Sequence, residues 1–176
     1  MQSMRRRIRL STLFLAASVA GAGVAGAQSV SAAVTMTATV TAAISASQGA
    51  PLAFGQVTAG GPPTLVGANS PSAGRINIIG VNNAGITMTM SQLPSSLTNG
   101  TGILGVSAYQ YCYVQTTAAQ TGCTPVATTQ GVLVGGQLLS GGGQGFLFLG
   151  ATLASPPPSQ SIGTYSGNMQ ITVSTP

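Results

Sequence analysis

Few residues of this chain could do chemistry, and their spacing points away from catalysis. The sequence contains no Asp, Glu, Lys or His. Arg5, Arg6, Arg7 and Arg9 lie together at the N-terminus, and Arg75 is the only other charged side chain. General acid–base catalysis needs a group that titrates near the working pH. A serine nucleophile needs a base, and a metal site needs carboxylate, imidazole or thiolate ligands. Hydroxyls, amides, two cysteines and one arginine supply none of these sets. The expectation is a protein that is not an enzyme and uses no cofactor or metal. The net charge of +5 and the pI near 10.0 suggest nucleic acid at first sight. Binding to phosphates draws on several cations, however, and only Arg75 lies outside the N-terminal cluster, so no nucleic-acid partner is expected.

Three groups remain. Cys112 and Cys123 form an even pair, read as a disulfide in an exported chain. Tyr109, Tyr111 and Tyr113 alternate and therefore share one strand face. That face suits either a platform for carbohydrate or a protein partner, or plain cross-strand packing, which aromatic residues favour. Asn99-Gly100-Thr101 fits the N-x-[ST] pattern, which also arises often by chance. The run Gly141-Gly142-Gly143 lacks the Lys-Ser/Thr of a phosphate loop and reads as a hairpin connection between strands.

The elements that position these residues are strands. Val34 to Ile44 alternates strictly: Val34, Met36, Ala38, Val40, Ala42 and Ile44 on one face, threonines at 35, 37, 39 and 41 on the other. It is either the chain's own first strand or a strand donated to a neighbour. Before it stand the arginines, an apolar segment from Leu10 to about Val24, and Ala25-Gly26-Ala27. This is the pattern of a cleaved secretory signal peptide over 1–27, followed by one domain over 28–176 with no transmembrane segment of its own. Ser45 to Pro51 reads as a turn-rich break, and Leu52 to Val57 and Thr64 to Val66 as short strands. Arg75 to Met90 reads as a hairpin about Asn82-Asn83-Ala84-Gly85. Ile103 to Val114 is a strand pair or one bent strand. Val132–Val134 and Phe146–Leu149 read as strands joined across the glycines. Pro156-Pro157-Pro158 is an ordered crossover, and Met169, Ile171 and Val173 alternate in a closing strand. No helical period runs through the mature region. The prediction is an all-β antiparallel sandwich of about seven to nine strands. Its core draws on Phe54, Ile76, Ile78, Ile86, Met88, Phe146, Leu149, Tyr165, Ile171 and Val173.

Three pieces resemble a known pattern. They are Leu52-Ala53-Phe54-Gly55, then Ile78-Ile79-Gly80-Val81-Asn82-Asn83 running into Ile86-Thr87-Met88-Thr89-Met90, and last Gly163-Thr164-Tyr165-Ser166-Gly167 before a final strand. In that order they resemble the exported bacterial family "domain of unknown function 4402". The ending is similar to that of spore coat protein U-type and other pilin-like modules. The Cys112–Cys123 loop, the lack of acids and Ile86 in place of an aromatic residue depart from the family pattern. The resemblance implies an immunoglobulin-like sandwich, exported through the periplasm to the cell surface or beyond, with a chaperone and usher as partners. It implies no catalytic residues. With almost no charge to keep copies apart, self-association or association with other surface subunits is expected. The expected function is thus an exported structural subunit, pilus-like or coat-like. The alternative is a monomeric secreted binding module that uses the tyrosine face.

Overall fold

The computed structural model describes residues 43–176. The signal-peptide reading and the Val34–Ala42 part of the alternating strand lie outside the described residues. Ten strands follow: β1 (Ser45–Ala50), β2 (Thr64–Val66), β3 (Gly74–Ile79), β4 (Gly85–Gln92), β5 (Ser96–Thr98), β6 (Ile103–Val114), β7 (Val126–Ala127), β8 (Leu133–Leu138), β9 (Gln144–Leu153) and β10 (Gln170–Ser174). A 3-10 turn, Thr117–Gly122, lies between β6 and β7. The larger sheet runs β1-β3-β9-β6-β5, with β2 also on β9 and β7 also on β6. The smaller sheet runs β10-β4-β8. Every pairing is antiparallel. The all-β sandwich is as expected, and the short strands β5 and β7 bring the count to ten.

Alternation builds the core. Ile86, Met88 and Met90 of β4 are all fully buried, while Thr87 and Thr89 between them are only partly so. They join Ile78, Leu104, Val106, Leu147, Leu149, Ala151 and Leu153 of the larger sheet in one cluster. β9 is buried on both faces, which explains its nearly unbroken apolar run. Its other face places Phe148 in a second cluster with Ala68, Ala73 and Cys112, and Phe146, Val114 and Cys123 pack around it. The disulfide loop and the 67–73 loop cover that cluster, and Gln120 Nε2 donates to Ser70 O at 2.6 Å across them. Cys112 and Cys123 form a disulfide with their Cα atoms 6.2 Å apart.

Several connections differ from expectation. The expected Arg75–Met90 hairpin is a corner: β3 pairs with β1 and β9, whereas β4 pairs with β8 and β10. Crossing between sheets lets Ile78 meet Ile86 and Met88 within one core, which side-by-side pairing would not. The Ser140–Gly143 connection likewise carries the chain from β8 in one sheet to β9 in the other. The two corners dock on each other: Gly80 N donates to Gly143 O at 2.8 Å, Asn83 N to Ser140 O at 3.2 Å and Leu139 N to Ala84 O at 3.0 Å. Ser45–Ala50, read as a break, is strand β1. An edge strand needs only a partner's backbone groups on one side, so its small polar residues do not prevent pairing. Leu52 to Val57, read as a strand, is irregular backbone whose Leu52, Phe54 and Val57 lean on the core.

Candidate strand-accepting groove

Among the described residues both sheets keep unpaired strand edges, and β8 pairs only with β4. β10 pairs with β4 through Gln170–Ser174, and among the described residues no strand pairs with its other edge. β1 likewise pairs only with β3. Between these two edges lies a groove of about 1160 Å³. Ile76, Leu149 and Leu153 of the larger sheet contribute to its floor. Leu52, Phe54 and Val57 form one wall, and Tyr165, Met169 and Ile171 the other. Leu149 and Leu153 are buried, but Leu52, Phe54, Val57, Ile76, Leu97, Met169 and Ile171 are only partly covered. An apolar floor with half-covered walls beside an unpaired strand edge is the arrangement that accepts an extended segment.

The walls are held by specific bonds. Tyr165 Oη donates to Ser161 O at 2.7 Å and accepts from Gln160 Nε2, which fixes the loop before the closing strand. Ser166 and Thr98 exchange two backbone bonds of 3.0 Å each, so this wall is anchored to β5. Gly60 N donates to Pro156 O at 2.8 Å, which holds the triple-proline crossover. Among the described residues Arg75 is the only charged side chain lining the groove. Its Nη2 donates to Gly49 O at 3.4 Å, and its Nε and Asn77 Oδ1 are buried without partners among the described residues. The groove is therefore nearly uncharged and suits an uncharged occupant.

The three tyrosines do share a face, and it is the inner one. Val106 pairs with Leu153 and Tyr111 with Leu149, but a bulge between Ser107 and Gln110 shifts the register. Ala108, at φ 49°, is the residue that resets the phase. Before the bulge Leu104 and Val106 point inward, and after it Tyr109, Tyr111 and Tyr113 do. Tyr109 Oη donates to Pro94 O at 2.6 Å, and burial pushes its phenol up to about 12. Tyr113 Oη donates to Leu138 O at 2.9 Å, and burial raises its pKa as well. These contacts are those of packing. Cys112 lies on the opposite face, in the second cluster. Of the alternating N-terminal residues only Ile44 is described; it packs partly buried against the main core, near Gly80. Val34, Met36, Ala38, Val40 and Ala42 lie outside the described residues. The groove walls at Leu52, Leu97, Tyr165 and Met169 come from the segment before β2, from β5 and from the connection that leads into β10; the Leu52 and Tyr165 motifs and the Met169-Ile171-Val173 alternation are visible in the sequence, and nothing there marks Leu97.

No helix among the described residues is long and apolar enough to cross a membrane. No protein-family model matches the chain, and neither a curated protein nor a solved structure matches it.

Proposed function

We propose that the protein is a non-enzymatic structural subunit of an exported assembly. Its groove takes the alternating Val34–Ala42 strand of a neighbouring copy. The observation that carries this reading is the edge of β10, unpaired among the described residues, beside a nearly uncharged apolar groove. Such an edge invites another strand, because its N–H and C=O groups otherwise have only water. The backbone ladder supplies affinity in strand addition, and alternate side chains entering the groove supply specificity. Val34, Met36, Ala38, Val40 and Ala42 fall on one face of an extended segment, which is the spacing such a groove reads. The threonines on the other face would stay hydrated. Beyond residue 27 the chain carries Arg75 as its only charge, so little repulsion opposes stacking of copies.

The test uses the full chain after export, examined at rising concentration by electrophoresis without boiling and by electron microscopy. Strand exchange gives SDS-resistant ladders and ordered particles or fibres. Met36→Asp and Val40→Asp chains fold but give no ladder, because a buried carboxylate without a partner is costly. A chain that stays monomeric at every concentration, and that Val40→Asp unfolds, would place the strand in its own sandwich and remove the proposal.

A further inference from the structure

Asn99-Gly100 is the only Asn-Gly step in the sequence, and it forms the turn between β5 and β6. The side-chain oxygen of Asn99 sits in a cradle of donors. It accepts from Thr101 N at 3.0 Å, from Thr101 Oγ1 at 3.1 Å and from Gly102 N at 2.6 Å. Gly100 has φ 90°, and no atom lies within 4 Å of where a side chain would stand. Its N–H donates to Thr98 Oγ1 at 3.1 Å. Asn99 Nδ2 has only a long contact of 3.5 Å, to Ile162 O. The turn adjoins the groove, because Asn99 lies against Gly163 of the groove wall.

We propose that Asn99 is a self-modifying site, where the folded turn promotes conversion of the side-chain amide to a carboxylate on the groove rim. The Gly100 backbone nitrogen attacks Asn99 Cγ, and the new N–C bond closes a five-membered imide. The Cγ–Nδ2 bond breaks, and ammonia leaves with the proton given up by Gly100. Water then opens the imide at either carbonyl, leaving aspartate or isoaspartate at position 99. As the nitrogen adds, negative charge grows on Oδ1, and three donors already aimed at that oxygen stabilise it as an oxyanion hole does. Thr98 Oγ1 is placed to accept the proton that must leave the nucleophile. The product is the first carboxylate side chain in a sequence that has none. The chemistry does not depend on the assembly proposal. Its consequence does: a charge on the rim disfavours entry of an apolar strand, so an Asn99→Asp chain forms fewer ladders.

The full-length native protein is held at mildly alkaline pH and followed by peptide mapping with isoaspartyl methylation. A synthetic peptide of residues 96–104 and a Thr101→Val chain run beside it. The proposal expects conversion confined to Asn99, faster in the native protein than in the peptide. It expects Thr101→Val to slow the native reaction about tenfold, equivalent to roughly 1.4 kcal/mol on the barrier. A native rate below that of the peptide would mean the turn protects Asn99 and would overturn the proposal. So would an unchanged rate in Thr101→Val, or a glycan mass on Asn99 in place of the charge change. The comparison of native protein with peptide needs no variant to fold.

Discussion

Gly150 sits in the middle of β9, beneath the turn that leaves β2. A Cβ at this position would stand 2.3 Å from Val66 O, 2.5 Å from Ala68 N and 2.7 Å from Gly67 C. Carbon and oxygen settle no closer than about 3.3 Å even in favourable C–H···O contacts, so the backbone would have to retreat by roughly 1 Å. All three obstructing atoms are backbone, and Ala68 is itself fully buried, so no side chain can swing aside. Overpacking of this kind costs about 1–3 kcal/mol. Elsewhere in a strand, replacing Gly by Ala gains roughly 0.5–1 kcal/mol from chain entropy. The sign of the change is therefore the test. We expect Gly150→Ala to lose about 1 kcal/mol net, and with a urea m-value of about 1–3 kcal/mol/M the midpoint falls by roughly 0.5 M. Gly142→Ala, whose Cβ would meet only Ser140 Oγ at 3.7 Å, should leave the midpoint nearly unchanged. A Gly150→Ala midpoint at or above that of the parent would refute the crossing of the 66–68 turn over β9.

Other predictions concern the disulfide, the buried tyrosines and the core. A Cys112→Ser/Cys123→Ser chain should lose about 3 kcal/mol, the chain-entropy value for a loop of this length, as read by urea unfolding; an unchanged midpoint would contradict it. Tyr109 ionises near 10 when unfolded but only at about 12 when folded. Its contribution is thus fully present below pH 10 and is lost as pH rises towards 12, because the unfolded chain gives up the proton first. Urea midpoints taken across that range should fall, and less steeply in Tyr109→Phe; a flat profile for the parent chain would rule out the buried hydroxyl. Met88→Ala, at a fully buried site, should cost about 2–5 kcal/mol, whereas Leu65→Ala, at a side chain 62% exposed, should cost little in the same assay.

Much of the fold was legible because alternation is a local signal. The apolar faces of β4, β9 and β10 could be read from Ile86-Met88-Met90, the Phe146–Leu149 run and Ile171-Val173, since side chains in a strand must point to opposite faces. Which strand lies beside which was not legible. Asn82-Asn83-Ala84-Gly85 has the residues of a hairpin turn, yet it serves a sheet-to-sheet corner, because the residue types that permit positive φ permit both paths. The shared tyrosine face was legible, with packing as one of its two readings; the bulge at Ala108 that turns it to the same side as Leu104 and Val106 was not, because alanine gives no sign of it. β1 escaped notice because Ser45–Ala50 has no apolar alternation, and its pairing rests on backbone groups alone. The groove was hidden most completely. Its walls come from segments far apart in sequence, and its defining property is incomplete cover over apolar side chains, which appears only once the sheets are assembled.

In the proposed assembly, the strand that pairs with β10 comes from another molecule. A photo-crosslinking residue placed at Val40, in an equal mixture of isotopically light and heavy full-length chains assembled together, reads this directly by mass spectrometry. Strand exchange gives cross-links from position 40 to Gln170–Ser174 that join one light and one heavy chain. Cross-links to β10 found only within chains of a single isotope would contradict it, and so would cross-links that avoid β10.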